Sequence, residues 1–286
     1  MEIREKEIGT AEEWVKTVWD KAVLRWSTRS GQDKSYREHV IYPALRNILS
    51  KRFSDSEFRL LDLGCGDGIF LESPENRKFF ERGAYLGIDV SGELLAQVEK
   101  IHGEENVNFL QSNLSESGLS EKIKNKGKDW NCALSVFVIQ EIPDLGTVMK
   151  NLTNSIRSGA YVIIITVHPD FAVWLKKGGK MHLANGLSGE NDTHLSFFRW
   201  AGYYPIVNEP NESFYLPYFH RTIEDYEAVM ARNGIITEEI IELPEKKDLA
   251  KLVNQEISPF KKFDNNDYWP GICEQPSAIA IIARKE

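Results

Sequence analysis

The 286-residue chain is short of cysteine, of long apolar runs and of positive charge. Its three cysteines, Cys65, Cys132 and Cys273, stand far apart and offer neither metal-ligand spacing nor a disulfide framework. No metal site is therefore expected, and a reducing, cytoplasmic setting is. The longest apolar stretch, residues 160–167, has the length of a strand rather than of a membrane span. The charged start, Met1-Glu2-Ile3-Arg4-Glu5-Lys6-Glu7, lacks the apolar core of a signal peptide, so no membrane partner is expected. Lys and Arg number 35 against 43 Asp and Glu, a net charge of −8, with no basic cluster interleaved with aromatics. That balance argues against a nucleic-acid partner. Internal repeats and low-complexity tracts are also absent. What remains is a chain with 42% hydrophobic residues, enough to bury one sizeable core.

The most informative stretch is residues 58–71, Phe-Arg-Leu-Leu-Asp-Leu-Gly-Cys-Gly-Asp-Gly-Ile-Phe-Leu. An apolar run, Leu60, Leu61 and Leu63, feeds into Gly64, Gly66 and Gly68, spaced two apart. This reads as a buried parallel strand and a sharp strand-to-helix turn over which a ligand can lie against bare backbone. The dinucleotide fingerprint G-x-G-x-x-G would place its third glycine at position 69, where Ile69 stands instead. Asp62 and Asp67 also make the loop an awkward seat for a pyrophosphate, which prefers amides and positive charge. A ligand with a cationic centre and an ammonium group tolerates those carboxylates, and S-adenosylmethionine is such a ligand.

Four more strand-like segments follow. Tyr85-Leu86-Gly87-Ile88-Asp89 ends in an acid 25 residues after Gly64, where a carboxylate can accept from ribose hydroxyls, and a helix over residues 92–102 comes next. The others are residues 107–114, 132–144 and 159–169, the last after a helix ending near Arg157-Ser158-Gly159. In this order the segments resemble the motifs of class I S-adenosylmethionine-dependent methyltransferases of the small-molecule type. The resemblance covers roughly residues 58–168 and extends more loosely to the C-terminus. It implies that Asp62, Gly64, Cys65 and Gly66 wrap the methionine part of the cofactor. By the same resemblance Asp89 is the ribose acid, with Val90 beside the adenine. Asn113, between Ser112 and Leu114, stands where the family usually has an acid for the adenine amino group, and its carbonyl can still accept that bond. Val136 to Glu141 resembles the fourth motif, whose strand end lies under the sulfonium and near the acceptor, so that Ser112, Leu114 and Val136 count with Asn113 among the expected cofactor-binding residues. The fold expected is α/β: a Rossmann-like, doubly wound, seven-stranded sheet, mostly parallel with the last strand antiparallel.

Around this core the expected organisation is a helical cap over residues 1–56, a core over 57–170 and 223–286, and a lid insertion over 171–222. The cap reads as amphipathic helices over 11–26 and 33–52, with Trp14, Val18 and Val23 on one face of the first and Val40, Leu45 and Ile48 on one face of the second. Family members close the cofactor site with such helices, which would put Tyr36 and Arg37 near the ligand, Arg37 as a partner for its carboxylate. The insertion carries nine aromatics between residues 197 and 219. They read either as a β-extension with its own small core or as a lid over an apolar or aromatic acceptor. Lys176-Lys177-Gly178-Gly179-Lys180 reads as a solvated loop. Thr222 is expected to cap a helix to about residue 232, and residues 235–243 and 277–283 read as the closing strands. The excursion at 244–276, with Trp269-Pro270-Gly271, has no assigned job.

Methyl transfer asks the protein to align the acceptor and exclude water, with a base if a hydroxyl or ammonium proton must leave. The candidates are His168 at the end of the fifth strand, His220 in Tyr218-Phe219-His220-Arg221, and Glu141 after the fourth strand. Against these stand structural roles: backbone-bonded histidines, and Glu141 as a cap for a helix over 144–156. Two rival functions share the same first half. One is an NAD(P)-linked oxidoreductase, disfavoured by Ile69 and the acidic turn. The other is a catalytically silent cofactor-binding or regulatory methyltransferase-like protein, whose mark would be a damaged first motif. The lack of an Asn/Asp-Pro-Pro-Tyr motif after the fourth strand counts against methylation of nucleic-acid bases. The expected partner is a small-molecule acceptor, and the chain a monomer or homodimer.

Overall fold

The structure is a computed structural model. It describes residues 36–53, 57–80, 83–102, 105–170, 181–188, 194–200, 214–245 and 276–286, with positions 13, 15–17, 19, 20, 247 and 248. Trp14, Val18, Val23, the Lys176–Lys180 loop and Trp269-Pro270-Gly271 lie outside the described residues.

Seven strands form the central sheet: β1 (Arg59–Leu63), β2 (Ala84–Asp89), β3 (Val107–Gln111), β4 (Trp130–Val136), β5 (Ile156–Val167), β9 (Ile235–Leu243) and β10 (Ala278–Lys285). Their order is β3-β2-β1-β4-β5-β10-β9, and β10 alone runs antiparallel to its neighbours. The apolar runs are near-continuous because both faces are covered. Leu60, Tyr85, Cys132, Leu134 and Ile163 pack on one face against Ile41, Leu45, Ile48 and Leu49. Leu61, Leu86, Ala133, Ile164 and Ile281 pack on the other against Val148, Leu152, Tyr226 and Met230.

Helices supply these covers. α1 (Tyr42–Phe53) continues from a π-helical turn at Arg37–Ile41; the turn buries Val40 and α1 buries Leu45 and Ile48, as their spacing predicts. Two four-residue helices, α2 (Ile69–Glu72) and α3 (Pro74–Arg77), follow the glycine turn, and α4 (Gly92–His102) follows β2. α5 (Leu119–Lys126) precedes β4 and α6 (Leu145–Ser155) precedes β5. α7 (Ile223–Arg232) opens with a capping box: Asp225 N donates to Thr222 Oγ1 at 3.2 Å, and Thr222 N donates to Asp225 Oδ2 at 2.8 Å.

Two sequence boundaries shift. β5 begins at Ile156 rather than at 159, because Gly159, which read as a helix end, lies inside the strand at φ 74°. Asp144, not Glu141, caps α6, accepting from Thr147 N at 2.9 Å. The aromatic insertion folds its backbone into a separate antiparallel sheet, β6 (Met181–Ser188), β7 (His194–Trp200) and β8 (Phe214–Phe219), in that order.

Candidate active site

The carboxyl ends of β1, β2 and β4 meet at the glycine turn. Gly64, Gly66 and Gly68 all take left-handed φ, 72°, 55° and 68°, a conformation side chains rarely adopt. At Gly64 the reason is also steric: a Cβ would sit 2.3 Å from Val138 Cγ2, so the loop after β4 lies directly on the turn. Gly64 N and Cys65 N both donate to Ile88 O, at 2.7 and 3.1 Å, which binds the turn to the end of β2.

Asp89 closes this corner. Its Oδ2 accepts from Gly66 N and its Oδ1 from Ser91 N, both at 2.9 Å. These amides lower its pKa, yet burial outweighs them and the carboxyl stays above its ordinary value. Asp62 is buried one strand away and accepts from the Tyr85 hydroxyl at 2.7 Å. Burial, assisted by the charge of Asp89, pushes it up to about 7 against the bond from Tyr85. Cys65 is buried, its thiol held well above its ordinary pKa by burial and by the neighbouring carboxylates. It packs where a Cβ on Gly87 would come within 2.7 Å of its sulfur. That is a packing role, not a nucleophile's.

At the end of β3, Ser112 N donates to Asp89 O at 3.0 Å, and the Ser112 hydroxyl donates to Glu116. Asn113 forms an Asx turn: its Oδ1 accepts from Ser115 N at 3.0 Å and from Ser115 Oγ at 2.9 Å. The carbonyl expected to receive an adenine amino group is thus engaged twice, and the side-chain amide Nδ2 has no partner among the described residues. Leu114 is buried beneath, and Val90 is half-buried, its carbonyl accepting from Gln111 Nε2 at 3.3 Å.

The Tyr36 hydroxyl bonds Ser277 Oγ at 2.8 Å, and its ring lies 6.4 Å from that of Phe137. Phe137 follows Val136 at φ 57°, a left-handed backbone for an aromatic residue, fixed by Phe137 N donating to Ile165 O at 2.8 Å. Such strain costs about 1–3 kcal/mol and gathers at functional sites. Sequence reading passed over Phe137, since nothing in Val136-Phe137-Val138 announces that conformation. It also passed over Tyr42. Tyr42 is buried, its hydroxyl has no hydrogen-bond partner among the described residues, and its electrostatic neighbours are Arg37, Asp67, Asp62 and Glu72. Arg37 is half-buried and close enough for its charge to act on the Tyr42 hydroxyl.

The three candidate bases differ sharply. Glu141 ends the 3₁₀ turn Ile139–Glu141 and is buried, with Oε2 accepting from Trp19 Nε1 of the N-terminal helix at 2.8 Å. Burial, with a push from the charge of Asp89, raises its carboxyl to about 8 despite that bond. His168 is buried at the end of β5, but Nδ1 accepts from Asp170 N at 3.1 Å and Nε2 faces Glu242 Oε1 at 3.9 Å. Both its nitrogens are thus directed at protein groups. His220 is half-buried beyond β8.

Burial holds Asp62, Asp89 and Glu141 above their ordinary pKa, with repulsion from Asp89 adding to it at Asp62 and Glu141 and from Asp67 at Asp89. A pyrophosphate would deepen that repulsion, whereas a cationic ligand relieves it. The residues therefore fit S-adenosylmethionine, whose contribution is an electrophilic methyl group. Gly64, Cys65 and Gly66 would hold its methionine part and Asp89 its ribose. Among the described residues no group of His, Cys, Asp and Glu could hold a metal ion.

Sheet order and site together define a class I S-adenosylmethionine-dependent methyltransferase fold. Residues 12–204 match the family described as the methyltransferase domain, and the chain belongs to that family. A ubiquinone biosynthesis O-methyltransferase of Marinobacter nauticus is 28% identical over 134 residues, 46% of this chain and 52% of that protein. The chain spans about half the length of the curated relatives it matches. Among solved structures, an S-adenosylmethionine-dependent methyltransferase from Mesorhizobium loti superposes with a TM-score of 0.56 at 16% identity, over 85% of this chain and 97% of that one. The 1,6-didemethyltoxoflavin-N1-methyltransferase of Burkholderia thailandensis, with 1,6-didemethyltoxoflavin and S-adenosylhomocysteine bound, superposes at 0.54 and 13% identity, over 97% and 91%.

Proposed function

We propose that the protein moves a methyl group from S-adenosylmethionine to a hydroxyl of a small aromatic acceptor. The single observation that carries this reading is Glu141: a buried carboxyl in the 3₁₀ turn after β4, close enough to Asp89 to feel its charge, with its pKa raised to about 8. A carboxylate so raised is a stronger base than an ordinary one, suited to taking a phenolic proton as the oxygen is methylated. The strained Phe137 and its neighbour Tyr36 offer aromatic faces to a ring-shaped acceptor. The aromatic insertion, which we read as a lid over residues 171–222, would exclude water. The O-methyltransferase name of the Marinobacter nauticus relative favours oxygen as the atom methylated.

The chain's own tasks are then distinct. The glycine turn and Asp89 hold the cofactor, the wall of Tyr36 and Phe137 orients the ring, and Glu141 receives the proton. The experiment is to supply the purified protein and S-adenosylmethionine with a panel of catechols, phenols and aromatic amines and to measure S-adenosylhomocysteine formed. Turnover restricted to hydroxylated rings supports the reading. Turnover of amines alone would replace oxygen by nitrogen, and cofactor binding without turnover on any acceptor would favour a regulatory protein.

A further inference from the structure

Arg221 is a buried cation in the segment just after β8. Its guanidinium donates to three carbonyls that flank Glu141 in its own segment: Nη1 to Ile139 O at 3.2 Å, and Nη2 to Ile142 O at 2.7 Å and Pro143 O at 2.9 Å. It lies 5.5 Å over the ring of Phe219, the last residue of β8. A second tie holds the same turn from the sheet, since Thr166 Oγ1 of β5 donates to Gln140 Oε1 at 3.0 Å. Tyr226 of α7 lies against both ties: burial raises its hydroxyl's pKa, and Arg221 and Thr166 beside it pull it back down. Arg221, Thr166, Gln140 and Tyr226 are all buried.

Removing a guanidinium from water is expensive unless its donors are satisfied, and an aliphatic residue would fill a core position without that cost. A fully bonded polar network, by contrast, fixes one backbone arrangement. Here the backbone so fixed is residues 139–143, whose product for the site is the direction of the Glu141 carboxyl. One residue, His220, separates Arg221 from the last strand of the aromatic insertion.

We propose that Arg221 is the positioning residue of the acceptor site, setting Glu141 from behind and tying its orientation to the strand that ends the insertion. This inference rests on the reading of Glu141 as the base. It makes Arg221 act through backbone carbonyls alone, so it requires no contact with cofactor or acceptor.

The test compares Arg221→Lys, Arg221→Met and Thr166→Val with Glu141→Gln in the full chain, using S-adenosylhomocysteine as the binding probe and a catechol, 3,4-dihydroxybenzoate, as the acceptor probe. Amide hydrogen exchange is followed at Glu141 and Ile142, whose N–H groups donate to Val138 O and Ile139 O. The expected result is exchange at these two amides faster by about tenfold or more in the Arg221 variants, with β1 and β2 amides and S-adenosylhomocysteine affinity unchanged. Catechol methylation should fall in kcat with little change in KM for S-adenosylmethionine, and Arg221→Lys should recover part of the loss. The pH midpoint of kcat should fall by about one unit as the carboxyl becomes better hydrated. Thr166→Val should shift all three readouts the same way and less. Unchanged exchange at Glu141 and Ile142 in both Arg221 variants overturns the proposal. So does faster exchange with kcat and its pH midpoint unmoved. Full catechol turnover by Glu141→Gln would instead sink the base reading, with the exchange data still deciding whether Arg221 positions the segment.

Discussion

Trp19 and Glu141, 122 residues apart, are joined by a hydrogen bond of 2.8 Å from the indole nitrogen to the buried carboxylate. The bond fastens the N-terminal helix to the 3₁₀ turn after β4 and stabilises the charged form of the acid that burial otherwise disfavours. On the proposed reading of Glu141 as the base, the bond would tie the N-terminal helix to the acid–base chemistry.

The first expectation concerns that pair. As a base, Glu141 works only when ionised, so kcat for a catechol should rise with pH through about 8 and level off above it. Trp19→Phe removes the bond that lowers the pKa, so the midpoint should move upward. Glu141→Gln should cut kcat by about 10²–10⁴-fold while leaving S-adenosylhomocysteine affinity unchanged. A pH–rate profile for each variant checks all three.

The second concerns stability. Asp62 and Glu141 have folded pKa values raised above their unfolded ones, to about 7 and about 8. The stability they contribute is full below the unfolded carboxylate range and is lost as pH rises through the folded values. The ligand-free protein should therefore melt lower at pH 9 than at pH 6, and Glu141→Gln should soften that decline. Cationic S-adenosylmethionine should raise the melting temperature more at pH 9 than at pH 6, and by a wider margin than neutral S-adenosylhomocysteine. Melting curves across that range decide it.

The third concerns Tyr42, whose buried hydroxyl has no hydrogen-bond partner in the described structure. Tyr42→Phe should leave the ligand-free protein as stable or more so, because it removes an unsatisfied group. If the hydroxyl serves the amino-acid end of the cofactor, the same variant should weaken S-adenosylhomocysteine by about 2–10-fold. Methylthioadenosine, which lacks that end, should bind unchanged. Calorimetric titration of both ligands is the check.

The fourth uses two glycines of similar backbone. Gly64 and Gly118 have φ of 72° and 86°, but a Cβ meets Val138 at 2.3 Å in the first and nothing within 4 Å in the second. Gly118→Ala should cost only the conformational penalty, about 1–2 kcal/mol. Gly64→Ala should add about 1–3 kcal/mol of overpacking and displace the loop after β4, so cofactor affinity falls as well. Urea unfolding and S-adenosylhomocysteine titration separate the two effects.

Much of this arrangement was legible beforehand, for identifiable reasons. The strand-turn at Leu60–Gly68 is written in residue type, because only glycine takes three left-handed positions without strain. Asp89 was placed by its spacing, and Thr222 by capping chemistry that is local in sequence. β5 was misjudged at its start because Gly159 serves a bend inside a strand, which looks the same in sequence as a helix stop. Asn113 was identified, but the Asx turn to Ser115 that occupies its carbonyl depends on backbone direction. The left-handed Phe137, the unpaired Tyr42 hydroxyl and the inward guanidinium of Arg221 were not legible. Each arises from how distant elements meet, and an arginine is ordinarily expected in solvent.

The central claim, that the acidic glycine turn is a seat for S-adenosylmethionine, is tested most directly by calorimetric titration of the purified chain with S-adenosylhomocysteine and, separately, with NADH. The expected result is one-to-one micromolar binding of S-adenosylhomocysteine, weakened about tenfold or more by Asp89→Ala, with no heat from NADH. Saturable binding of NADH, with S-adenosylhomocysteine silent at millimolar concentration, would contradict it.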